Sequence, residues 1–451
     1  MIIAKAWAGK HYAVYGLARS GLATVAALLA SGARVTAWDE REEARDALVQ
    51  RVRSSRAKSR DSASGASTWL GTNGLVVEDF TSRDLTPFDS LILSPGVPLN
   101  THPLAARARA AGLEIIGDIE LFARARPELP QHKVVGITGT NGKSTTTALV
   151  HHILETAGVP TSMGGNIGLP ILAQDPLPDG GVYVLELSSF QIDLTKSLDC
   201  DVAVLLNITP DHLDRYESFE AYAASKGRLF EMQSAQSIAV EPDDRWSVED
   251  HTDTWGVWGA DGEIRDPRPL GAQQDWPALQ GRHNGQNAQV AIRITQALGL
   301  PEEVVARGLR TYPGLPHRME RVRERDGVLF VNDSKATNPE AAAPALAAYP
   351  RVRWIVGGQA KTHDLGDTAR HLAHVVHAYT IGEAGPMFAR LLREREIAVT
   401  ESETLENAVN RAAADSLPGE TVLLSPACAS FDQFKDFEAR GDAFRGYVGT
   451  L

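Results

Sequence analysis

The stretch Gly136–Thr146, GITGTNGKSTT, decides the fold of the middle of the chain. It ends the apolar run Lys133–Ile137 and leads into a helix-forming segment that stops near Gly158. A strand, a glycine-rich turn and a helix N-terminus place backbone N–H groups and a lysine around a phosphate. The usual P-loop spacing puts a glycine where this chain has Ile137, so the sequence predicts a variant P-loop. The alternative is a loop that binds some other anion.

Composition places the chain among ordinary globular proteins and excludes several classes. Its 451 residues suggest about two to four domains. A formal net charge of -12 argues against general binding to nucleic acid or membrane surfaces. Two cysteines far apart in sequence, Cys200 and Cys428, indicate a reducing compartment. With neither a signal-peptide pattern nor a long apolar run, we expect a soluble, cytoplasmic protein, and we predict a monomer.

Apolar runs and turn residues predict three consecutive α/β domains. The first opens with the strands His11–Tyr15 and Arg34–Trp38 around a helix, which is a Rossmann-like start. Residues 51–68 are Ser-rich and lack periodicity, which predicts a flexible surface insertion. The second domain holds the continuous apolar strands Val182–Leu187 and Val202–Ile208, as in the parallel sheet of P-loop ATPases. The third domain alternates strands and helices and is again Rossmann-like.

Two short segments rich in proline or glycine separate these domains. They are residues 127–130 and 312–314. The predicted domains are therefore 1–128, 129–314 and 315–451.

Polar residues that follow the central strands are candidate metal ligands. Glu186 ends a strand beside the P-loop, where a carboxylate is expected to bind Mg²⁺ with the hydroxyl of Ser144 or Thr145. Glu186 could instead pair with a nearby lysine. His212, in TPDHLDRY, is a metal ligand or a polar loop residue. Lys226 cannot bind Mg²⁺ as an ammonium, but a carbamate formed with CO₂ would supply oxygen ligands.

The N-terminal turn GLARSG, residues 16–21, is a weaker signal. It departs from GxGxxG, although Asp39 lies about 20 residues later, as the acidic residue of a dinucleotide site would. A nicotinamide dinucleotide and another nucleotide diphosphate fit this segment equally well.

Cationic residues recur at predicted strand ends of the third domain. They are Arg318, Lys335, Lys361 and Lys435, in the runs GLPHRME, NDSKATNP, GGQAKTHD and SPACASFDQFKDFEARGDAF. Such a group suits a carboxylate-bearing substrate and the terminal phosphate of ATP. Each lysine taken singly could also be a solvated surface charge.

Several of these runs together resemble the Mur ligase family of peptidoglycan precursor synthesis. They are GITGTNGKST, ELSSFQ, TPDHLDRY, GRHNGQNA and the His317–Arg318 pair, and the resemblance covers nearly the whole chain. NDSKATN and SPACASFDQFKDFEARG are similar to the runs of family members that add D-glutamate. The resemblance implies an ATP-dependent ligase that joins D-glutamate to UDP-N-acetylmuramoyl-L-alanine through an acyl phosphate.

The resemblance also implies roles for individual residues, with Lys143, His212 and Lys226 as the catalytic ones. The residues implied to bind ATP are Gly139, Thr140, Asn141, Gly142, Lys143, Ser144, Thr145, Asn284, Asn287, Arg318 and Asp333. Those implied to hold two Mg²⁺ ions are Ser144, Glu186, His212 and Lys226, the last as a CO₂-derived carbamate. Those implied to bind the UDP-linked substrate are Gly16, Leu17, Ser20, Arg41, Ser94, Gly96, Asn166 and Ser188. Those implied to bind D-glutamate are Lys335, Thr337, Lys361, Ser430 and Phe437.

Three other functions remain open from the sequence. One is a sister ligase that adds a different amino acid. Another is a nucleotide-binding module that hydrolyses ATP slowly without forming a bond. The last is a nicotinamide oxidoreductase built on the N-terminal βαβ unit, in which Glu186 and His212 would have no role.

Overall fold

The computed structural model describes residues 1–61, 74–209, 211, 215–242, 255–258 and 272–451. Within these ranges the strands form three sheets, and each sheet lies in one of the three predicted domains. The predicted three-domain α/β architecture is confirmed. By contacts the chain divides into two compact units. One comprises Met1–Arg268 with Val290–Val305, and the other comprises Pro269–Gln289 with Ala306–Leu451.

The first sheet is parallel and has the strand order β3-β2-β1-β4-β5. Its central strand is almost wholly buried, since Tyr12, Ala13, Val14 and Tyr15 are each at most 5% exposed. Its strands are β1 His11–Tyr15, β2 Arg34–Trp38, β3 Leu75–Val77, β4 Ser90–Leu93 and β5 Ile115–Ile116.

The second sheet has the order β11-β10-β9-β6-β8-β7 and is parallel except for the β10–β11 pair. Its central strand β6 carries the phosphate-binding turn at its carboxyl end. The strands are β6 His132–Thr138, β7 Thr161–Gly165, β8 Gly181–Glu186, β9 Val202–Leu205, β10 Ile238–Pro242 and β11 Trp255–Trp258.

The third sheet has the order β12-β13-β17-β14-β15-β16, with β12 antiparallel at one edge. The antiparallel β12 was not predicted, because its sequence, ERVRER, is charged at almost every position. The strands are β12 Glu320–Arg325, β13 Val328–Asn332, β14 Val352–Gly357, β15 Val375–Ile381, β16 Val399–Glu403 and β17 Thr421–Leu424.

Helices connect the strands in the alternating order that the sequence predicts. No helix in the described ranges is long and apolar enough to cross a membrane. The helices are α1 Arg19–Ala30, α2 Glu42–Asp61, α3 Pro103–Ala110, α4 Asp118–Ala125, α5 Lys143–Thr156, α6 Ser189–Asp193, α7 Phe219–Glu231, α8 Arg282–Ala297, α9 Glu302–Thr311, α10 Pro339–Ala348, α11 Gly385–Arg393, α12 Leu405–Asp415 and α13 Phe437–Thr450. Short 3₁₀ helices cover Lys5–Trp7, Arg126–Glu128, Ile171–Ala173, Gln273–Asp275 and Gly366–His374.

One prediction about local structure was wrong in part. The predicted irregular insertion begins at residue 51, but α2 continues through Asp61. The acidic pair Glu42 and Glu43 lies in the first turn of α2, where negative charge interacts favourably with the positive end of the helix dipole. Arginine, alanine and lysine further along the segment also favour a helix. The remainder of the predicted insertion, 62–68, lies outside the described residues.

The first two sheets share one hydrophobic core. Helix α4 packs between them, with Ile119, Leu121 and Phe122 at most 1% exposed. The ring of Phe122 meets the ring of Tyr183 on β8 at a centroid distance of 5.1 Å. The turn Gly117 lies so close to Leu194 that an added Cβ would stand 3.0 Å from the Leu194 Cβ. This shared packing explains why both sheets belong to one compact unit.

Each sheet has a point where the chain switches from one side of a central strand to the other. In an open α/β sheet the carboxyl ends of the two strands at this point border the ligand crevice. The strand pairs are β1 with β4, β6 with β9, and β13 with β17. The residues that directly follow these strands form the sites described next.

Candidate active site

The phosphate-binding turn leaves β6 and enters α5 through two glycines. Gly139 has φ 147° and Gly142 has φ 84°, and both are backbone conformations that a residue with a Cβ rarely adopts. Gly142 is also the N-cap of α5, so the turn ends directly on the helix N-terminus. The first-turn N–H groups of a helix lack intrahelical acceptors and favour anions. The predicted strand–turn–helix is therefore present.

The turn is held from the side by residues that follow β9. Asn207 accepts hydrogen bonds from the N–H groups of Thr140 and Asn141, both at 2.9 Å. The Asn207 side-chain amide also donates to the carbonyl of Asn141 at 3.1 Å. The hydroxyl of Thr140 accepts from the N–H of Thr209 at 3.0 Å and lies 3.1 Å from the Tyr222 hydroxyl. Asn207 was not among the predicted site residues, because the predicted strand Val202–Ile208 included it, whereas β9 ends at Leu205.

Two lysine amines lie on the carbonyl groups of the turn. Lys143 donates to the carbonyls of Gly139 and Thr140 at 2.9 and 2.7 Å. Lys226, on α7, donates to the same Gly139 carbonyl at 2.9 Å and lies over the Tyr222 ring. Lys226 is 2% exposed, and burial, followed by the nearby charge of Lys143, lowers the pKa of its amine to about 7. A large share of this amine is therefore uncharged at neutral pH.

Glu186 at the end of β8 is a buried carboxylate with one oxygen bound and the other not. Its Oε1 accepts a hydrogen bond from the Asn166 side chain at 2.8 Å. Its Oε2 is buried and has no hydrogen-bond partner in the part of the chain that is described. Gly165 lets the chain approach this strand, because an added Cβ would lie 2.1 Å from the Glu186 carbonyl oxygen. An unsatisfied buried carboxylate oxygen beside a phosphate-binding turn fits a divalent cation.

Two other predicted residues of this region have different outcomes. His212 lies outside the described residues, so its role as a metal ligand stays a prediction. Ser188 caps the short helix α6, accepting from the N–H of Gln191 in a capping box. Within the described ranges no group of three or more His, Cys, Asp or Glu side chains is arranged to hold a metal ion.

A cleft of about 570 Å³ lies at the carboxyl ends of the first sheet and reaches the central domain. The Ser94 hydroxyl, after β4, donates to the Gly16 carbonyl, after β1, at 2.7 Å, so the switch point of this sheet forms its floor. The predicted substrate-binding residues that line the cleft are Gly16, Ser20, Arg41, Ser94, Gly96 and Asn166. Leu17 is not among the lining residues; it is buried, and its N–H donates to Asp39 at 2.7 Å.

Asp39 fixes the shape of this cleft. It accepts from the N–H of Leu17 at 2.7 Å and from the guanidinium of Arg41 at 3.1 and 3.2 Å. Burial raises the pKa of Asp39, but the hydrogen bonds from Arg41 and Leu17 outweigh it and hold the pKa below its usual value. Both carboxylate oxygens are thus already engaged, and Arg41, with its side chain 63% exposed, presents positive charge at the cleft.

The predicted ATP-contacting residues of the second unit lie close together. Asn284 and Asn287, on α8, are 5% and 6% exposed, and the Asn287 amide donates to Asn284 at 3.3 Å. The Asn284 amide also lies 3.8 Å from the Met319 sulfur. The N–H of Met319 in turn donates to Asp333 at 3.1 Å. The structure thus brings residues from two distant segments together, and their role in binding ATP stays a prediction.

Asp333 lies at the switch point of the third sheet. It follows β13 and accepts from the hydroxyl of Ser425, which follows β17, at 2.7 Å. Burial raises the pKa of Asp333 to about 7, against the lowering effects of the Ser425 hydrogen bond and the Arg318 charge. The Nε atom of Arg318 is buried and has no hydrogen-bond partner among the described residues.

The segments that carry the predicted D-glutamate residues are joined by Arg440. This arginine, on α13, is 1% exposed, and burial lowers its pKa to about 10. Its guanidinium donates to the hydroxyl and carbonyl of Ser334 at 3.0 and 2.9 Å and to the carbonyls of Cys428 and Ala429 at 3.0 and 3.2 Å. Arg440 was missed in the sequence because nothing marks an arginine on a helix as buried.

The predicted residues themselves lie on these joined segments. Lys335 is exposed, with its amine 5.7 Å from the centre of the Phe437 ring, and Ser430 is 2% exposed. Lys361 is exposed on the loop that begins at Gln359, which pairs with Ala429 through two backbone hydrogen bonds of 2.9 Å. Thr337 is half-buried just before α10. Their role in binding an amino acid stays a prediction.

Family comparisons agree with this arrangement. Residues 10–117 match the MurD-like N-terminal domain of Mur ligases, residues 137–256 match the Mur ligase middle domain, and residues 317–428 match the Mur ligase glutamate ligase domain. The chain belongs to the Mur ligase family.

Relatives match this Mur ligase over its full length. It is 56% identical to the UDP-N-acetylmuramoylalanine–D-glutamate ligase of Novosphingobium aromaticivorans, with 100% of this chain and 97% of the relative covered. It is 52% identical to the ligase of the same name from Zymomonas mobilis, with 100% of both chains covered.

Solved structures share the Mur ligase fold at low sequence identity. UDP-N-acetylmuramate-alanine ligase MurC of Thermotoga maritima matches with a TM-score of 0.53 and 17% identity, covering 98% of this chain and 99% of that one. The MurF ligase of Thermotoga maritima in complex with ADP matches with a TM-score of 0.51 and 18% identity, covering 80% of this chain and 90% of that one. At these identities the likeness concerns the fold alone.

Proposed function

We propose that the protein is the ATP-dependent ligase that forms the amide bond between UDP-N-acetylmuramoyl-L-alanine and D-glutamate in peptidoglycan precursor synthesis. The observation that carries this proposal is the phosphate-binding turn beside the buried Glu186, in a chain 56% identical to a ligase of that name. We expect the enzyme to act in the cytoplasm as a monomer.

The reaction needs an activated carboxylate, because a free carboxylate is a poor electrophile. The alanyl carboxylate attacks the γ-phosphorus of ATP, so an O–P bond forms and the bond to ADP breaks. The amine of D-glutamate then attacks the carbonyl carbon of the acyl phosphate. A C–N bond forms, inorganic phosphate leaves with the electron pair, and the amine loses a proton. No nucleophilic side chain is required, so catalysis consists of positioning and charge stabilisation.

Residues around the turn would hold the nucleotide and its cations. The turn 139–145 presents the α5 N-terminus to the phosphates, and Lys143 adds positive charge. Ser144, Glu186, Lys226 and His212 are the proposed ligands of two Mg²⁺ ions, and the partnerless Oε2 of Glu186 supports this. Bound Mg²⁺ neutralises charge that develops on the transferring phosphoryl group.

Lys226 would act after reaction of its amine with CO₂. A carbamate forms from an uncharged amine, and the pKa of Lys226 is lowered to about 7. The nitrogen attacks the carbon of CO₂, a C–N bond forms, and one proton is lost to solvent. The product is an anionic oxygen ligand where a cation could not bind an ammonium. The burial of Lys226 beside the turn supports this modification.

The cleft of the first sheet would bind the UDP-linked substrate. Its volume of about 570 Å³ lies within the range of small-molecule sites. The guanidinium groups of Arg19 and Arg41 line it and suit a diphosphate. Asn166 lines the same cleft and also binds Glu186, so it lies between the substrate region and the proposed metal site.

The loops joined by Arg440 would bind D-glutamate. Lys335 and Lys361 offer cations for its carboxylates, while Thr337, Ser430 and Phe437 would shape the remainder of the subsite. In the same unit Asn284, Asn287, Arg318 and Asp333 are the other residues proposed to bind ATP.

Product analysis tests the proposal directly. The purified protein is incubated with ATP, Mg²⁺, UDP-N-acetylmuramoyl-L-alanine and one amino acid at a time in each enantiomer, and the product mass is measured. We expect a product only with D-glutamate, together with equal amounts of ADP and phosphate. A product with another amino acid would make this a sister ligase. Phosphate release without any amide product would favour a nucleotide-binding module that hydrolyses ATP.

A further inference from the structure

The position of Asn207 follows from the topology of the central sheet. β9 lies beside β6 on one side and β8 lies on the other, so the segment after β9 meets the segment after β6 at the switch point. Asn207 comes two residues after Leu205, the last residue of β9. Asn207 therefore lies outside the phosphate-binding turn and contacts it from the segment that follows the neighbouring strand β9.

The contacts of Asn207 form a clamp with three hydrogen bonds on two successive residues, Thr140 and Asn141. Its side-chain carbonyl accepts from the N–H of Asn141 at 2.9 Å, and its side-chain NH₂ donates to the carbonyl of Asn141 at 3.1 Å. Its backbone carbonyl accepts from the N–H of Thr140 at 2.9 Å. A side-chain amide that both donates to and accepts from one residue fixes the rotation of that residue as a strand partner would.

This clamp determines which N–H groups remain for an anion. The N–H groups of Thr140 and Asn141 are directed at Asn207, and the carbonyls of Gly139 and Thr140 accept from the amine of Lys143. The turn then passes through Gly142, the N-cap, into the first turn of α5, and a helix N-terminus is where an anion is favoured. A turn without the clamp would have several orientations available, because its two glycines restrict the backbone little.

The exposure of the partners argues against a purely structural role. Asn141 is exposed and Asn207 is half-buried, so water can satisfy the groups of Asn141 when the amide is removed. Loss of the clamp should therefore cost little folding stability while it loosens the turn.

We propose that Asn207 is a positioning residue for the triphosphate, which sets the orientation of the turn without contacting the reacting atoms. This inference rests on the proposed ATP-dependent function. Asn207 differs from the turn residues because it follows a different strand, β9, and its side-chain amide hydrogen-bonds to the turn itself.

Substitutions of Asn207 test the inference in the full-length protein. Asn207→Ala removes both side-chain hydrogen bonds. Asn207→Asp keeps an acceptor for the Asn141 N–H but sets a negative charge against the Asn141 carbonyl and near the polyphosphate. Asn407→Ala is the matched control, because the Asn407 side-chain amide donates one hydrogen bond to the Ser402 carbonyl in the third domain. No residue proposed to bind a ligand is close to Asn407 in the sequence.

The readouts are the Kd of Mg²⁺–ADP measured by calorimetry, the KM for ATP, the KM for the UDP-linked substrate, and the melting temperature. We expect Asn207→Ala to raise the Kd for Mg²⁺–ADP and the KM for ATP roughly tenfold, and Asn207→Asp to raise them further. The KM for the UDP-linked substrate should stay within about twofold, and the melting temperature within about 3 °C. Asn407→Ala should leave the Kd for Mg²⁺–ADP and the KM for ATP unchanged.

Two results would overturn the inference. Wild-type affinity for Mg²⁺–ADP in Asn207→Ala would show that the turn holds its orientation without the clamp. An equal rise in the KM for ATP and the KM for the UDP-linked substrate, with a large fall in melting temperature, would show that Asn207 only supports the fold. If the wild-type protein fails to bind Mg²⁺–ADP at all, the proposed function itself is wrong, which the first titration reveals before any variant is measured.

Discussion

The amines of Lys226 and Lys143 both donate to the carbonyl oxygen of Gly139, each at 2.9 Å. Lys226 is 2% exposed, and burial, followed by repulsion from the charge of Lys143, lowers the pKa of its amine to about 7. Lys226 thus provides a buried amine, in part uncharged at neutral pH, next to the phosphate-binding turn.

This relationship predicts carbamylation of Lys226 that depends on pH. ¹³C NMR of the protein with ¹³C-bicarbonate should show a carbamate signal at pH 8 that is absent from Lys226→Arg. The signal should weaken below pH 7, because the amine becomes protonated there and cannot attack CO₂. Lys226→Ala should lose amide formation, and added bicarbonate should not restore it. A wild-type spectrum without this signal would contradict the modification.

Glu186→Gln should abolish the Mg²⁺ dependence that the unpartnered oxygen predicts. The amide oxygen can still accept from Asn166, but the charge that would hold a cation is lost. We expect phosphate release to fall at least about 100-fold at saturating Mg²⁺, with the melting temperature unchanged or raised, since a buried charge is removed. Glu155→Gln, at a carboxylate 59% exposed on α5, is the control. An unchanged Mg²⁺ titration would place the metal elsewhere.

Asp333 should make the stability of the protein fall as the pH rises. Its folded-state pKa is raised from 3.8 to about 7, so between these values the native state holds a proton that the unfolded chain has lost. From pH 5 to pH 8 the free energy of unfolding should therefore drop by roughly 2–3 kcal/mol from this group alone. Asp333→Asn should remove that part of the pH dependence in urea melts. Equal slopes in variant and wild type would show that Asp333 stays ionised when folded.

Arg440→Lys should loosen the third-domain loops although it keeps the charge. A lysine amine has three donors on one nitrogen and cannot reach the oxygens of Ser334, Cys428 and Ala429 together. We expect a loss of about 2–4 kcal/mol in unfolding free energy and a higher KM for D-glutamate, with the KM for ATP little changed. Arg411→Lys, at an exposed position on α12, should match wild type. An equal rise of both KM values would point to general unfolding instead.

Gly136→Ala should be destabilising because of Cys200. An added Cβ would lie 2.6 Å from the Cys200 sulfur, closer than real contacts allow. We expect a loss of about 1–3 kcal/mol, partly restored by Cys200→Ala in the same chain. Urea denaturation of the two single variants and the double variant measures this coupling. Gly446→Ala, where an added Cβ meets nothing within 4 Å, is the control. Additive effects would show that the strand shifts to accommodate the methyl group.

Gly136 also explains the departure from the usual P-loop spacing. The glycine lies inside β6 rather than in the turn. Its missing side chain makes room for the Cys200 sulfur, because the other neighbours of an added Cβ would lie 3.3 Å or more away. In the turn itself the glycines Gly139 and Gly142 supply the unusual backbone angles. The sequence predicted the phosphate-binding turn but gave no reason for the displaced glycine.

The sequence by itself determined the order of elements and the residues at strand ends. Apolar runs such as Val182–Leu187 predicted buried parallel strands, because a strand covered on both faces needs apolar side chains on both. The same reasoning placed Glu186 and Asp333 at strand ends, where open α/β sheets bind ligands. It failed for β12 and for residues 51–61, because a charged edge strand and a polar helix carry no apolar signal.

Only the tertiary structure decided which strand ends meet. Strand order is set by packing between segments far apart in the chain, so no local pattern reveals that Asn207 lies against Asn141, or Ser94 against Gly16. Burial likewise depends on the whole fold, and burial is what lowers the pKa of Lys226 and raises that of Asp333. The residue types were fixed by the sequence, whereas their protonation and partners were fixed by what packs around them.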